Sequence, residues 1–315
     1  MNKTQSLVSI GLPTYNRGAI LAITLNNLLS QSYTNFELLV SDNASSDQTA
    51  EICQRYAKKD ARIHYFRQKN NIGMYNNFNF VLKKAKGKYF MWATDDDRWD
   101  KNFIKALLML LEKHPDTVVA TSNYKLFNDQ IKIKTKFTYP EILPIPQSIE
   151  QFIDKAILIT YGLVKTTALK KTGGFFIYPL PIPDGIGEHV SILRLLLLGK
   201  VAFNQKILLY KRDSGITLGR YKILKNDPFS VQIRQRIRRY CKFWILYLYD
   251  LYFMLNAVIR SQLSGGQKIT VAIIALRLFV KNNVLYMIDL ICGFGYFLVG
   301  CGKVLKHKIA AAVSG

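Results

Sequence analysis

Apolar and polar positions along the first two thirds of this 315-residue chain switch repeatedly between two periods. Short apolar runs of strand length occur at Leu7 to Leu12, Phe36 to Val40, Ile63 to Phe66, Tyr89 to Ala93 and Thr117 to Thr121. Between them lie stretches with helical spacing: Ala19 to Leu29, Asp47 to Lys58, Asn76 to Ala85, and Asn102 to Lys113 with Pro115 as its stop. Strand and helix alternating at this spacing predict βαβ units, and so an α/β domain with a mostly parallel, Rossmann-like sheet flanked by helices. Residues 130–147 carry alternating Ile and Lys, then Pro140, Pro144 and Pro146, and predict a loop or hairpin. Gly173 to Gly187 has the Gly- and Pro-rich composition of a flexible active-site loop, before a helix from His189 to Leu198 and a strand from Val201 to Tyr210.

After Asp227 the pattern changes, which divides the chain into residues 1–227 and 228–315. An arginine-rich start (Arg234, Arg236, Arg238, Arg239) leads into apolar stretches at Phe243 to Ile259, Ile269 to Val280 and Val284 to Val299. Each has about 17 residues or fewer, at the short end of the roughly 20 needed to cross a bilayer. Asp250, Arg277 and Asp289 interrupt them, and a charge at mid-bilayer is costly. Three readings follow: helices lying in or dipping into a membrane interface, true spans, or helices of a soluble core. Charge favours the first. The net charge is +23, and residues 200–315 hold 19 Lys and Arg against 4 Asp and Glu. A region both basic and apolar suits an anionic membrane surface better than a nucleic acid, for which no recognition motif is visible. The expectation is therefore a C-terminal helical, membrane-associated appendage.

The four cysteines, Cys53, Cys241, Cys292 and Cys301, form no metal or redox pair. Residues 1–6 lead into the first strand without a signal-peptide apolar region. Together with the basic tail, this predicts a location at the cytoplasmic face of the cell membrane.

Candidate chemistry centres on Asp95-Asp96-Asp97, which closes the apolar strand at Tyr89 to Ala93. Ligands in such sheets bind at the carboxyl ends of the strands. Three adjacent carboxylates repel one another unless a cation neutralises them, and hard oxygen ligands suit Mg2+ or Mn2+ held together with a substrate diphosphate. An acidic turn capping the next helix is the alternative.

Four segments taken in order sharpen this. They are Val8 to Arg17, a strand ending in a Pro-containing turn; Val40 to Thr49, a strand ending in Asp42 and a hydroxyl-rich cap; Asn70-Asn71-Ile72-Gly73 with Asn76 and Asn79; and the aspartate run. In register they resemble the nucleotide-sugar domain of family 2 glycosyltransferases, the GT-A fold, over roughly residues 6–212. The resemblance implies that Pro13, Thr14 and Tyr15 line the base of a nucleotide and that Asp42 hydrogen-bonds it, an Asx turn with Asn43 being the other reading of Asp42. It implies that Arg17 and Arg212 approach the diphosphate, though either also fits a solvated surface position. The family's Asp-x-Asp element sets one carboxylate on the ribose side and another on the metal, which implies that Asp95 and Asp96 bind the nucleotide sugar and Asp95 and Asp97 the metal; in a second register Asp96-Asp97 is the pair and Thr94 replaces the earlier acid. Lys171-Thr172-Gly173-Gly174-Phe175 resembles the acceptor-side turn, and Gly187-Glu188-His189 the helix start carrying the base. Glu188 is the first candidate for that base and Asp184 its rival. The implied activity is metal-dependent inverting transfer of a sugar, expected from a UDP-linked donor, to a lipid-linked or surface-polysaccharide hydroxyl. A catalytically decayed glycan-binding protein and a basic membrane scaffold are the alternatives from other classes.

Overall fold

The computed structural model describes residues 5–127, 132–134, 137–153, 155–177, 186–212 and 248–280. The N-terminal half is β1 (Val8–Thr14), α1 (Gly18–Leu29), β2 (Phe36–Asp42), α2 (Thr49–Lys59), β3 (Ile63–Arg67), α3 (Met74–Lys84) and β4 (Tyr89–Trp92). Every residue of β1, β2 and β4 is buried, as continuous apolar runs in a sheet covered on both faces require. Their order, β3-β2-β1-β4, is wholly parallel. Gly11 admits α3 against β1: a Cβ there would lie 2.7 Å from atoms of both Phe90 and Val81.

Beyond β4 the sheet is mixed, which corrects the expectation of a mostly parallel one. The chain continues through β5 (Arg98–Trp99), α4 (Phe103–Lys113), β6 (Thr117–Phe127), β7 (Lys132–Lys134), β8 (Ile142–Leu143), α5 (Ile145–Phe152), α6 (Ala156–Thr160), β9 (Leu163–Lys165) and α7 (Thr166–Thr172). The three-residue β9 slots between β4 and β6, antiparallel to both. Then follow β10 (Phe176–Ile177), β11 (Ile186–Gly187), α8 (Glu188–Leu196) and β12 (Lys200–Arg212), the last running parallel to β6 and antiparallel to β5. Elements as short as β5 and β9 carry too few residues to show a period, and they exist because neighbouring strands supply their hydrogen bonds.

Helices α1, α2 and α4 cover one face of the sheet through Leu21, Leu25, Ile52, Phe103 and Leu107. The other face carries α3, α5 to α8, and two further helices, α9 (residues 248–259) and α10 (residues 265–280). Met254 and Val258 of α9 and Val271, Ile274, Ala275 and Leu278 of α10 are buried in the same cluster as Val190 and Leu193 of α8. This part of the expected appendage thus packs on the α/β core. Among the described residues no helix is long and apolar enough to cross a membrane. The stretch Val284 to Val299 and the arginine-rich start lie outside the described residues.

Candidate active site

Three loops meet at the carboxyl ends of β1, β2 and β3, and side chains bind them to one another. Thr14 and Asp42 are register partners, and Asn43 N–H donates to the Thr14 carbonyl at 2.9 Å. Asn16 and Ala44 both adopt left-handed backbone, with φ of 53° and 62°, which turns the chain sharply after each strand. Asn16 N–H donates to Ser45 Oγ at 2.9 Å, its Oδ1 accepts from Ser46 N–H at 2.9 Å, and Arg17 N–H donates to Thr49 Oγ1 at 2.9 Å. From the third loop, Asn71 Oδ1 accepts from Asn43 Nδ2 at 2.8 Å, while Asn43 Oδ1 accepts from Ile72 N–H at 2.9 Å.

Asp42 is fully buried. Its Oδ1 accepts from Ser45 N–H at 2.8 Å, its Oδ2 accepts from the Tyr65 hydroxyl at 3.0 Å, and the Arg67 guanidinium lies 3.7 Å away. Asp42 therefore makes a side-chain turn, closed on Ser45 rather than Asn43. Burial and the adjacent Asp42 charge both raise the Tyr65 phenol. Pro13 and Thr14 are buried in β1, whereas the Tyr15 side chain is open to solvent. Thr14 Oγ1 is buried beside the Asp95 carboxylate without a well-formed hydrogen bond, an orphaned polar atom at the strand end.

The three aspartates have three different environments. Asp95 is buried, and its Oδ1 accepts from Arg17 Nε at 3.2 Å. Burial pushes its carboxyl up to about 6, against the opposing pull of Arg17. Asp96 is partly exposed, and burial followed by the charge of Asp97 raises its carboxyl too. Asp97 has no exposed side-chain surface. Its Oδ2 accepts from Lys211 Nζ at 2.9 Å and from the Thr94 hydroxyl, and its Oδ1 accepts from Arg212 N–H at 2.8 Å. Both Asp97 oxygens are thus engaged from β12 and Thr94, whereas Asp95 is tied by side chain to Arg17 and Asp96 is partly exposed.

Lys211 ties this corner to Tyr161, at the end of α6. Its ammonium lies 4.0 Å over the centre of the Tyr161 ring. Burial alone would lower that ammonium, but Tyr161 and Asp97 together raise it. The Tyr161 phenol is raised by burial, with Lys211 opposing and the charges of Asp97 and Glu188 adding to the rise. Glu188, the first residue of α8, is therefore within electrostatic reach of Tyr161. Asp184 lies outside the described residues. Arg212 stacks its guanidinium 5.5 Å from the centre of the Phe127 ring, and its Nε is buried without a partner.

The Gly173-Gly174-Phe175 turn docks on α3 through Asn79, whose Nδ2 donates to the Phe175 carbonyl at 2.9 Å and whose Oδ1 accepts from Phe175 N–H at 2.8 Å. Both glycines have positive φ, and a Cβ on Gly174 would lie 2.4 Å from Asn79 Oδ1. Phe175 packs 4.6 Å from Trp92 and 5.3 Å from Phe78, ring centre to ring centre. His189 Nδ1 lies 3.4 Å from Asp250 Oδ2, so α9 reaches the start of α8.

Sequence reasoning missed Tyr65, Arg67 and Tyr161, and gave Thr94 and Lys211 no site role, although Thr94 stands where an acid is expected before the aspartate pair and Lys211 adjoins Arg212 at a strand end. Tyr161 belongs to a segment with no recognisable motif.

Comparison with known proteins agrees with this geometry. The glycosyl transferase family 2 profile matches residues 9–167, about half of the chain. TuaG of Bacillus subtilis, named for teichuronic acid biosynthesis, is 33% identical over 114 residues, covering 36% of this chain and 45% of TuaG. The chain thus spans less than half of that relative. Glycosyltransferase GlyG of Streptococcus pneumoniae is 32% identical over 221 residues, covering 66% of this chain and 72% of GlyG. Among solved structures, S. aureus TarS 1-349 superposes with a TM-score of 0.64 at 20% identity, over 86% of this chain and 71% of TarS 1-349. TarS 1-349 has also been solved with UDP and with UDP-GlcNAc. The mannosyltransferase PcManGT of Pyrobaculum calidifontis, solved with GDP-Man and Mn2+, superposes with a TM-score of 0.51 at 15% identity, over 95% of this chain and 80% of PcManGT. At these identities the structural likeness is one of fold. With the profile spanning half of its length and GlyG aligned over two thirds of it, the chain belongs to glycosyl transferase family 2.

Proposed function

We propose that this chain moves a sugar from a nucleoside diphosphate donor, UDP-linked, to a hydroxyl of a lipid-linked or surface-polysaccharide acceptor, with inversion at the anomeric carbon. The observation that carries the reading is the gathering of Thr14, Arg17, Asp42 and Asp95 to Asp97 at adjacent carboxyl ends of parallel strands, closed from β12 by Lys211 and Arg212. The TarS complexes with UDP and UDP-GlcNAc support the choice of donor.

Pro13, Thr14 and Tyr15 form the floor on which a flat base rests. Asp42, at the end of β2, would exchange one of its present partners, Ser45 N–H or the Tyr65 hydroxyl, for an N–H of the base. Arg17 and Arg212 hold the diphosphate by charge. Asp95 and Asp96 fit a Mg2+ or Mn2+ ion, since such ions need only one or two carboxylates alongside substrate phosphates, and a bound cation would offset the burial that raises both carboxyls; Asp97 would join them by exchanging one of its present partners. Among the described residues there is no group of three or more ligating side chains that could hold an ion without the substrate. The bound ion would supply electrostatic stabilisation of the leaving diphosphate. Glu188 takes the proton from the acceptor hydroxyl, and its position at the first residue of α8 favours the anionic form it needs. Asp184 is the competing base.

The test is a panel of nucleotide sugars offered to the purified full chain with a lipid-linked glycan acceptor, read as released nucleoside diphosphate. The expected result is UDP release that rises with Mn2+ and stops with excess chelator. Equal release with chelator would remove the ion from the reading, and no release from any donor would remove the transferase.

A further inference from the structure

The hairpin of α9 and α10 is apolar on two opposite sides. One side is used: Met254 and Val258 of α9 and Val271, Ile274, Ala275 and Leu278 of α10 are buried against the core. On the other side the two helices repeat one spacing. Leu248, Tyr252, Leu255 and Ile259 fall at i, i+4, i+7 and i+11, and so do Ile269, Ile273, Leu276 and Val280. At 3.6 residues per turn each set forms one narrow stripe, and in α10 that stripe lies opposite the buried face. Apart from half-buried Leu255, every member is at least 45% exposed. Water does not reward eight such side chains on 33 residues, and contiguous exposed apolar surface marks an interaction site.

The charges say which partner fits. Within residues 248–280 the cations are Arg260, Lys268 and Arg277, and the only acid is Asp250. Asp250 is buried and turned to His189, so the hairpin shows solvent no carboxylate. Two copies meeting through this face would bring their cations together. An anionic lipid surface would instead complement them, with apolar side chains entering the acyl boundary and cations among the headgroups.

We infer that the outward face of α9 and α10 is a docking surface for an anionic phospholipid bilayer, by which the protein lies on the membrane without crossing it through these helices. The same hairpin reaches the acceptor side through His189–Asp250 and through Phe253, whose ring centre is 4.7 Å from that of Phe176.

The experiment is flotation of the full chain with vesicles of phosphatidylcholine containing phosphatidylglycerol, and with vesicles of phosphatidylcholine alone. The inference expects binding to the anionic vesicles, only partly released by high salt, since apolar burial is not screened. Ile273→Glu combined with Leu276→Glu changes exposed positions only, and should weaken partitioning at least about tenfold with the melting temperature unchanged. Should that variant unfold, Tyr252→Ser with Ile259→Ser makes the same test from the other helix. Absence of wild-type flotation, or equal flotation of folded variant and wild type, would overturn the inference. So would a variant whose only change is a halved mass in sedimentation, which would assign the face to a second copy. Release of UDP from a soluble donor is scored separately, so failure here leaves the transferase reading standing.

Discussion

The loops after β1, β2 and β3 are cross-braced by side chains of Asn16, Asn43, Ser45 and Thr49, so each loop holds its neighbours. The acceptor side is held differently. Phe175 hangs on Asn79, Phe176 N–H donates to Ser191 Oγ at 2.8 Å, and β10 and β11 share a two-residue ladder. Loops braced in this way hold their shape without a ligand, which would limit the ordering cost of the nucleotide binding proposed for them. The acceptor-side segment takes its partners from α3, β4, α8 and α9, through Asn79, Trp92, Ser191 and Phe253, rather than from the three braced loops. Lys211 touches Asp97 and Tyr161 together.

The largest break should come from the acceptor side. Glu188→Gln keeps shape and removes the proton acceptor, so turnover should fall by roughly two to four orders of magnitude while nucleotide binding, measured by calorimetry, persists. If Asp184→Asn has that effect and Glu188→Gln does not, the loop acid is the base. Next, Asp97→Asn should strike stability as well as rate. It leaves the buried Lys211 ammonium without its counter-charge, a loss of about 3–5 kcal/mol, visible in urea denaturation without any ligand. An unchanged urea midpoint would mean that Lys211 does not depend on Asp97 for its counter-charge.

Asp95 sharpens the electrostatic side of the comparison. Its carboxyl rises from an ordinary 3.8 to about 6 on folding, so the folded state prefers it protonated. Its contribution to stability is fully present below about pH 4 and is lost as the pH rises through about 6, reaching on the order of 3 kcal/mol. Without divalent ions, Asp95→Asn should therefore gain on wild type in thermal stability between pH 5 and pH 7.5. A difference independent of pH would mean that Asp95 is ionised at no cost. The smallest effect should be Gly174→Ala, where positive φ and the approach to Asn79 both resist a side chain. A local cost of roughly 1–3 kcal/mol should raise the acceptor KM and spare slow donor hydrolysis. Loss of donor hydrolysis in that variant would show the two sides to be coupled.

Much of the donor side was legible from sequence. The runs at β1, β2 and β4 are long enough, and apolar enough, to declare buried strands. Turn residues after each of them say where ligands gather. Even so, the roles of neighbouring carboxylates could not be told apart, because a run of three aspartates has one chemistry until its partners are known. Lys211 and Arg212, more than a hundred residues downstream, single out Asp97 by occupying both its oxygens. The C-terminal helices teach the same lesson in apolar terms. Their sequence carries more hydrophobic positions than one face can hold, and periodicity alone could not say which face the core would claim.

Local propensity and period, which act over a few residues, thus determined the alternation of elements, the strand ends that bear chemistry and the apolar, basic character of residues 228–315. The tertiary structure decided what depends on partners far apart in the chain. It set the antiparallel insertion of β9, the separate environments of Asp95, Asp96 and Asp97, the bridge from Lys211 to Tyr161, and the burial of one face of α9 and α10 with the other left open. Hydrogen bonds, ion pairs and burial depend on distance in space, and folding alone sets that distance for residues remote in sequence.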